Sequence, residues 1–362
     1  MYDYVIVGSG LFGSVCAYEL TKKGNKCLVL EKRNHIGGNC YTEKLDGINV
    51  HTYGPHIFHT SNKEIWDYVN QFAKFNSFIN RPKVNYENFL YSFPINLFTL
   101  HQLYGVMTPE EAKQKLDEVR VKNDNPKNLE EWIISQVGVD IYNIWQRQMC
   151  IRDRGRHPID LPTSIIKRLP IRFNHDDNYY YDPYQGIPIG GYTQIFEKML
   201  NGVEVRLNTD YLANRDEFNK LATKKVIYTG PIDAFYNYIY GKLDYRSLKF
   251  ETEKKEVSDY QGNAVINYTE LHVPYTRIVE HKHFDPVDTN CTYITKEYPR
   301  EYGDGMVPYY PINDKVNTPT YEKYKSLTDA ETHFIFGGRL AEYRYYDMHQ
   351  VIGSALHTCK TL

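Results

Sequence analysis

The stretch of residues 4–31 constrains the fold of this chain more than any other feature of its 362 residues. An apolar strand runs into Gly8, Gly10 and Gly13, a helix-compatible segment follows, and a second apolar strand ends at Glu31. In this order, the first glycine permits a tight turn, the second lets the backbone approach a pyrophosphate, and the third lets helix and strand pack closely. A carboxylate about twenty residues further on accepts ribose hydroxyls. The pattern predicts a dinucleotide-binding βαβ unit rather than a glycine-rich turn in an ordinary α/β sheet.

A second glycine pair and the C-terminal part of the chain indicate which dinucleotide is bound. Gly37 and Gly38 follow soon after Glu31, and an apolar strand near the C-terminus ends in Gly337-Gly338-Arg339 before a helix-like run. This arrangement resembles the FAD-binding family that includes the amine oxidases, and the resemblance implies FAD as the cofactor. The cofactor-binding residues expected on this basis are Gly8, Gly10, Phe12, Gly13, Glu31, Lys32, Gly38, Asn39, Thr229, Gly230, Arg339 and Met348.

The composition argues against several classes of partner. A net charge of −2 gives no reason to expect nucleic acid or an anionic membrane as a partner. The six cysteines form no CxxC pair, which favours a reducing cytoplasm over a disulfide framework, and no metal site is predicted. The chain enters a strand at once and no apolar run reaches membrane-spanning length, so we expect neither a signal peptide nor membrane insertion. The 34 tyrosines fit a large polar ligand, and they fit an AT-rich genome equally well.

The two halves of the FAD-binding pattern lie at opposite ends of the sequence, so the middle of the chain must be inserted between them. We predict an α/β fold in which a discontinuous Rossmann-like FAD-binding domain carries a helical subdomain and an antiparallel sheet subdomain. The predicted bounds are 1–75, 186–245 and 325–362 for the FAD-binding domain, 97–160 for the helical subdomain, and 76–96, 161–185 and 246–324 for the sheet subdomain.

Local patterns predict where individual elements begin. Ser61, Thr108 and Asn128 are each followed three residues later by glutamate, which is typical of a helix N-cap. Aromatic and β-branched residues at 84–93, 263–268 and 293–294 predict strands of a second sheet. The chain stops inside its last predicted helix, which suggests that it is cut short.

A series of ordered motifs covers nearly the whole chain. They are Gly54-Pro55-His56-Ile57-Phe58-His59-Thr60, Tyr91 to Asn96, Ile166-Lys167-Arg168-Leu169-Pro170-Ile171-Arg172-Phe173, Gln185 to Thr193, Val273-Pro274-Tyr275-Thr276-Arg277, Glu280 to Phe284, Pro308-Tyr309-Tyr310-Pro311-Ile312-Asn313 and Gly338 to Met348. Together they resemble the bacterial UDP-galactopyranose mutases. That family interconverts UDP-galactopyranose and UDP-galactofuranose without net redox change, and the resemblance implies the same isomerisation here, supplying galactofuranose for cell-surface glycans. It implies that N5 of reduced flavin displaces UDP from the anomeric carbon, that the sugar ring opens and recloses through O4, and that UDP then returns.

The resemblance also implies roles for individual residues. The departing diphosphate needs fixed cations, and arginine is a planar, permanently charged donor suited to it. The diphosphate ligands implied are Arg168 and Arg277, with hydroxyl groups from Tyr179, Tyr310 and Tyr345, and Asn80 matches a substrate-pocket asparagine. His56 is placed at the isoalloxazine and Arg339 at the flavin pyrophosphate, while the helix beginning near Met348 directs its positive end at N1–C2=O. Asp347 either acts at the substrate pocket or caps this helix; with His56, Arg168 and Arg277 it completes the expected catalytic set.

One segment departs from the family pattern. Where the family has a Gly-Tyr-Thr-x-x-x-Trp-Gly run, this chain reads Trp145 to Gly155, with Met149 in place of the tyrosine and Arg154 in place of the tryptophan. The run Met149-Cys150-Ile151-Arg152-Asp153-Arg154 looks like translated sequencing adapter, and the rival interpretation is divergence toward another nucleotide sugar. If the substitution is genuine, loss of a stacking aromatic costs about 1–3 kcal/mol of uridine binding.

Two other functions remain open at this stage. A flavin amine oxidase-like oxidoreductase would share the FAD-binding unit without needing arginines and tyrosines around a diphosphate. An inactive homologue would bind FAD and UDP-sugar without isomerising it, because residues 145–154 lack the tyrosine and tryptophan. For an active mutase we expect a cytoplasmic homodimer that receives electrons from NAD(P)H or a flavin reductase.

Overall fold

The computed structural model describes residues 1–146, 159, 163, 171–270, 272–303 and 305–362, which divide into two compact units. Unit 1 comprises Met1–Phe78, Asp182–Ser247 and Tyr302–Leu362; unit 2 comprises Ile79–Tyr181 and Leu248–Glu301. Residues 302–324, which the sequence placed in the sheet subdomain, belong to unit 1. The described helices of the predicted helical subdomain lie with the second sheet in unit 2 and do not form a unit of their own.

Unit 1 is built on a parallel five-stranded sheet with the order β16-β10-β1-β2-β9. Its other strands form the antiparallel pairs β3-β4 and β5-β8, and β15 pairs with the first residues of β11. The strands are β1 (Tyr2–Val7), β2 (Cys27–Leu30), β3 (Thr42–Leu45), β4 (Ile48–His51), β5 (Phe58–Thr60), β8 (Tyr184–Gly186), β9 (Glu204–Arg206), β10 (Ala222–Tyr228), β15 (Tyr310–Pro311) and β16 (Phe334–Phe336). Numbered along the described residues, its helices are α1 (Leu11–Lys22), α2 (Lys63–Asn70), α6 (Thr193–Met199), α7 (Arg215–Asn219), α8 (Ile232–Phe235), α9 (Asn317–Thr328) and α10 (Met348–Lys360).

The parallel sheet explains why β2 and the second half of β1 are continuous apolar runs. β2 is buried at every position, and Val5, Val226 and Tyr228 of the neighbouring strands join it in one core. Strands covered on both faces need apolar side chains at successive positions, whereas a half-exposed strand alternates. Helix α1 packs against β1, β2 and the C-terminal helix α10, which places the N- and C-terminal parts of the chain side by side. The prediction of a Rossmann-like α/β domain is confirmed.

Unit 2 contains a largely antiparallel sheet and three helices. Its strands follow the order β11-β14-β13-β12-β6-β7, and the one parallel pair among those registered joins β12 to β6. They are β6 (Lys83–Tyr86), β7 (Phe89–Ser92), β11 (Tyr245–Lys255, which begins in unit 1), β12 (Val265–Tyr268), β13 (Arg277–Glu280) and β14 (Thr292–Glu301), with helices α3 (Leu97–Tyr104), α4 (Pro109–Val119) and α5 (Leu129–Gln146). The sheet is therefore mixed where the sequence predicted it antiparallel, because β6 and β12 come from separate insertions and no hairpin sets their direction.

The structure tests the predicted helix starts directly. Thr108 forms a capping box with Glu111, and the Asn128 side chain accepts a hydrogen bond from the backbone N–H of Glu131 at 2.9 Å, so these two predictions are confirmed. The prediction for Ser61 is wrong by one residue. Asn62 is the N-cap, and its side chain accepts from the backbone N–H groups of the next turn at 2.8 and 3.3 Å.

Two further sequence expectations concern the described residues as a group. None of the helices that the structure describes is both long and apolar enough to cross a membrane. The five cysteines among these residues are free thiols, all of them buried, while Cys150 lies outside the described ranges.

Candidate active site

The first glycines of unit 1 form a turn that tolerates no side chain. The Gly8 N–H donates to the Leu30 carbonyl at 2.8 Å, and Gly8 has a φ of +101°. A Cβ there would lie 2.3 Å from the Thr229 hydroxyl oxygen, and a Cβ on Gly13 would lie 2.0 Å from the Gly8 carbonyl. The predicted roles of these glycines in the turn and in helix–strand packing therefore have a direct geometric basis.

Gly8, Gly10, Gly13 and Gly38 form what we call the glycine cradle. In its middle, two backbone segments approach each other closely. A Cβ on Gly38 would lie 2.9 Å from the Gly10 Cα, so this side of the turn is bare backbone. Gly10 is the N-cap of α1 and supplies no capping side chain. The first N–H groups of a helix lack partners within the helix and carry partial positive charge. The arrangement fits the pyrophosphate of a dinucleotide.

Glu31 lies at the end of β2 and is 6 % exposed. One carboxylate oxygen accepts from the Ser9 N–H at 2.9 Å and the Ser9 hydroxyl at 2.7 Å, and the other accepts from the Arg33 N–H at 2.9 Å. A carboxylate offers about four acceptor positions, so one is left for a ribose hydroxyl. Glu31 is thus oriented before any ligand arrives.

The structure adds Arg33, which the sequence analysis missed. Its Nη2 donates to the Asn39 side chain at 2.8 Å and its guanidinium stacks on Tyr53 at 4.2 Å, while the buried Nη1 has no hydrogen-bond partner among the described residues. A buried unpaired donor is costly, and a polar cofactor would remove that cost. The available signal was the basic pair directly after Glu31. Of that pair, the Lys32 side chain is 77 % exposed and pairs with Asp210 at 2.8 Å, and its role toward the cofactor stays a prediction.

The C-terminal glycines pack directly on the first helix. Phe12 is 3 % exposed, and a Cβ on Gly337 would lie 2.0 Å from its ring. Thr229 donates its hydroxyl to the Val7 carbonyl at 2.7 Å, and Gly230 lies against the Tyr228 side chain. Phe12, Thr229 and Gly230 therefore brace the cradle, which leaves their backbone as the part available to a cofactor.

Arg339, Tyr310 and Tyr345 form a cluster in unit 1. The two tyrosine rings stack at 5.3 Å with an angle of 19°, and the guanidinium lies 5.2 and 5.6 Å from their centroids. Arg339 is held by donating to the Tyr309 and Tyr346 carbonyls at 3.2 and 2.6 Å. The structure brings together Arg339, predicted at the flavin pyrophosphate, and the two tyrosines, predicted at the substrate, and both roles stay predictions. A fixed cation beside two phenols is suited to a diphosphate.

The start of helix α10 carries the remaining predicted residues of this unit. Asp347 is the N-cap, and its backbone N–H donates to the Gln350 side chain at 2.9 Å. Met348 contacts Cys40, with the two sulfur atoms 3.8 Å apart. Burial raises the pKa of the Cys40 thiol to about 12, so this cysteine stays neutral. The capping role of Asp347 is visible in the structure, while a role toward substrate stays a prediction.

Each of the two histidines of the Gly54–Thr60 motif is held by a short contact through its Nδ1 atom. His56 Nδ1 lies 2.9 Å from the Gly54 carbonyl oxygen, which fixes the ring beside the proline turn. His59 Nδ1 lies 2.6 Å from the Asp182 carboxylate. The His349 ring packs edge-on against the His59 ring, with 5.3 Å between the ring centroids. Burial, and then the neighbouring His59, lower the pKa of His349.

Unit 2 holds the other predicted substrate residues. The Tyr179 N–H donates to the Asn80 carbonyl at 2.8 Å, and the buried Asn80 Oδ1 has no partner within the described ranges. Arg277 at the start of β13 lies opposite Glu297 of β14, and its Nε is 2.5 Å from a carboxylate oxygen of Glu297, whose side chain is 1 % exposed. Their geometry is that of an ion pair and not of a hydrogen bond. Arg168, Met149 and Arg154 lie outside the described residues.

Comparison with known proteins agrees with this geometry. The profile of the UDP-galactopyranose mutase family matches residues 149–345, and that of an NAD(P)-binding Rossmann-like domain matches residues 6–72. A probable UDP-galactopyranose mutase from Klebsiella pneumoniae is 40 % identical over 98 % of this chain and 93 % of its own length. A dTDP-fucopyranose mutase from Escherichia coli is 39 % identical over 98 % of this chain and 97 % of its own. A crystal structure of reduced UDP-galactopyranose mutase shares the fold, with a TM-score of 0.75 at 16 % identity over 99 % of this chain and 93 % of that one.

The fold, the glycine cradle and the oriented Glu31 define a flavoprotein of the Rossmann type with FAD as its cofactor. It is an enzyme of the isomerase class. The chain belongs to the UDP-galactopyranose mutase family.

Proposed function

We propose that this chain interconverts UDP-galactopyranose and UDP-galactofuranose. The observation that carries the proposal is the family relationship over 98 % of the chain, together with the Arg339–Tyr310–Tyr345 cluster in the unit that carries the cradle. A fixed cation beside the two phenols would repel the cationic amine that an amine oxidase takes, which argues against that alternative. The likeness therefore extends from the cofactor site to the groups needed for the sugar nucleotide.

The residues of this chain would act mainly by position and charge. When bound in its reduced form, FAD supplies the nucleophile that takes the sugar from UDP. Arg277 and Arg168 hold the diphosphate and offset the charge that develops as UDP departs. Tyr179, Tyr310 and Tyr345 each donate a hydrogen bond from the hydroxyl group to a diphosphate oxygen, which keeps UDP available for its return. Asn80 offers its unpaired buried oxygen to a hydroxyl group of the substrate.

The cofactor would be held through unit 1. The first turn of α1 and the backbone of Gly10 and Gly38 bind the pyrophosphate, and Glu31 binds the ribose. His56 contacts the ring system, and the N-terminus of the 13-residue helix α10 favours negative charge on it. Backbone amides and a helix dipole stabilise an anion without donating a proton to it.

A second candidate substrate comes from the relative in Escherichia coli. Because a dTDP-fucopyranose mutase is nearly as similar as the Klebsiella protein, the same ring contraction on dTDP-fucopyranose is the alternative. The two substrates differ in the base methyl group, the 2′-hydroxyl and the sugar C6 hydroxyl. A pocket built to hydrogen-bond a hydroxyl rejects a ligand that lacks it more strongly than a pocket rejects an extra methyl group.

The test uses the purified yellow protein with each furanose nucleotide sugar, with and without dithionite, and follows the products chromatographically. We expect UDP-galactofuranose to convert only when the flavin is reduced. Arg277→Ala should abolish turnover and keep the flavin, and Arg120→Lys, at an exposed pair with Asp117, is the matched control. Conversion of dTDP-fucofuranose alone would move the proposal to the alternative substrate, and peroxide release from an amine without isomerisation would refute it.

The setting of the enzyme forms part of the proposal. We expect a cytoplasmic homodimer that draws electrons from NAD(P)H or a flavin reductase and supplies galactofuranose for lipopolysaccharide O-antigen or other cell-wall glycans. A variant in which residues 149–154 are replaced by the sequence typical of the family would show, by comparison of its turnover rate with that of this chain, whether the segment limits turnover. Equal rates for the two chains would mean that the family aromatics are not needed here.

A further inference from the structure

The loop of residues 174–181 carries Tyr179 and is held from both its base and its interior. At the base, the Arg172 N–H donates to the Ile95 carbonyl at 3.0 Å, and the Leu97 N–H donates to the Asn174 carbonyl at 2.9 Å. Inside the loop, Asn174 and Asp176 each accept a hydrogen bond from the backbone two residues further on, at 3.1 and 3.0 Å. Such turns shape a loop locally but do not fix where its tip lies.

Arg172 is the buried side chain that gathers the loop from within, while two cations contact the loop from outside. The Arg81 Nε donates to the Asn178 side chain at 2.9 Å, and the Lys83 Nζ donates to the Asp177 carboxylate at 3.0 Å. Arg172 is 4 % exposed at its side chain, and its Nη1 donates to the carbonyls of Asp176 and Asn178 at 3.0 and 2.5 Å. Its Nε donates to the Tyr181 hydroxyl at 2.5 Å, and the guanidinium stacks on the Tyr181 ring at 4.0 Å. The Asp176 carboxylate lies 3.3 Å away and balances the charge. Two backbone carbonyls and one side-chain hydroxyl of the loop thus converge on a single guanidinium.

Tyr179 lies between two of these anchors. Asn178 precedes it and Tyr181 follows two residues later, so the hydrogen bonds of Arg172 bracket its backbone. Its own N–H donates to the Asn80 carbonyl at 2.8 Å, which ties the loop to the second predicted substrate residue of this unit. The Tyr179 ring lies 5.8 Å from the Phe93 ring. Displacing the loop would move the Tyr179 hydroxyl and disturb Asn80 together.

We infer that Arg172 is a positioning residue for the nucleotide-sugar site, acting through Tyr179 and Asn80; this rests on the proposed function of those two residues. Arginine is required because its planar group presents five donors in fixed directions, whereas the lysine ammonium is one compact point that cannot span three acceptors and a ring face. Lysine keeps the positive charge of Arg172 but cannot replace its set of hydrogen bonds. A loop held in one conformation by such contacts loses less entropy when it binds a ligand.

The test compares Arg172→Lys with Arg120→Lys, an exposed arginine of the same unit. Hydrogen–deuterium exchange without nucleotide should show residues 174–181 exchanging about tenfold faster in Arg172→Lys and unchanged in the control. The dissociation constant of UDP should rise about tenfold with flavin content close to that of the wild type, and the melting temperature is measured alongside to show that the variant is folded. Unchanged exchange in the loop, or UDP affinity equal to that of the wild type, would overturn the inference.

A double-mutant cycle with Tyr179→Phe separates positioning from general structural damage. If Arg172 acts through Tyr179, the two substitutions are non-additive, and Arg172→Lys should change UDP affinity by less than about threefold in the Tyr179→Phe background. Full additivity would refute the proposed route. Tyr181→Phe, which removes one acceptor and keeps the ring, should shift exchange and affinity in the same direction by a smaller factor, and it serves if Arg172→Lys does not fold.

The outcomes also distinguish this inference from the proposed function. Loop exchange and UDP affinity are measured without turnover, so a wild-type protein that binds UDP but does not isomerise UDP-galactofuranose would end the proposed function and leave the positioning role standing. A wild-type protein that isomerises UDP-galactofuranose, with loop exchange and UDP affinity unaffected by Arg172→Lys, would support the proposed function and overturn the positioning role. A wild-type protein that does not bind UDP would overturn both.

Discussion

Replacing Gly337 by alanine tests the contact that closes the cradle. The added Cβ would lie 2.0, 2.4 and 2.7 Å from three outer ring atoms of Phe12. To regain an ordinary contact of 3.4 Å, the ring would have to move by about 1.4 Å, because 3.4 − 2.0 = 1.4. Phe12 is 3 % exposed, so its ring is packed against other groups and cannot move out toward solvent. Overpacking of this kind costs about 1–3 kcal/mol.

The assay measures thermal unfolding by circular dichroism and flavin content by the ratio of visible to ultraviolet absorbance. We expect Gly337→Ala to lower the melting temperature by about 2–8 °C and to reduce bound FAD. Phe12→Leu removes the three clashing ring atoms and on its own costs stability through a lost buried contact. Combined with Gly337→Ala, it should restore part of the loss, so the two substitutions should couple favourably.

A matched control separates this clash from a general effect of alanine. Among the residues that the structure describes, a Cβ on Gly303 would meet no atom within 4 Å, and Gly303 does not have a left-handed backbone conformation. Gly303→Ala should therefore melt and bind FAD like the wild type. The reasoning would be refuted if Gly337→Ala behaved like Gly303→Ala, or if Phe12→Leu and Gly337→Ala were simply additive.

Three further predictions concern single side chains. Glu31→Gln should weaken FAD binding about tenfold in a fluorescence titration, because a neutral amide accepts poorly from the two N–H groups and the hydroxyl that the carboxylate now satisfies; an unchanged affinity would contradict this. Arg339→Lys should weaken the binding of UDP or of FAD by a similar factor, since lysine cannot bond both carbonyls and stack on both rings; UDP and FAD affinities both equal to those of the wild type would count against this. Burial lowers the pKa of His281 from 6.5 to about 3, so the folded protein keeps it neutral while the unfolded chain takes up a proton below about pH 6.5. Stability is therefore lost as the pH falls, by about 2 kcal/mol between pH 7 and pH 5, and urea unfolding of His281→Gln should show a flatter pH dependence; identical slopes would exclude this origin.

Much of the cradle was predictable because its constraints are local. A positive φ at Gly8 and the helix start after Gly10 depend on neighbours in the sequence, and both appear as the pattern indicated. The capping box at Thr108 depends on a spacing of three residues and was found where predicted. At Ser61 two polar residues compete for the cap, and only the folded backbone shows that Asn62 takes it.

Other features depended on contacts between distant segments. The sequence gave no role to Arg33, whose side chain turns inward toward Asn39, whereas the side chain of the neighbouring Lys32 reaches Asp210. The grouping of Arg339 with two tyrosines and the bonding of Arg172 to the loop before Tyr181 likewise carried no signal in residue spacing. Loop positions are set by side-chain donors that the order of residues does not specify.

By itself the sequence determined the class of fold, the FAD cradle and the family, because strand–glycine–helix–strand patterns and ordered motifs are properties of consecutive residues. Only the tertiary structure decided that β6 pairs in parallel with β12, that Phe12 fills the space beside Gly337, and that one buried arginine holds the Tyr179 loop. These depend on which surfaces meet after the inserted segments have folded. Close packing and buried hydrogen bonds select one such arrangement, and they act between residues far apart in the chain.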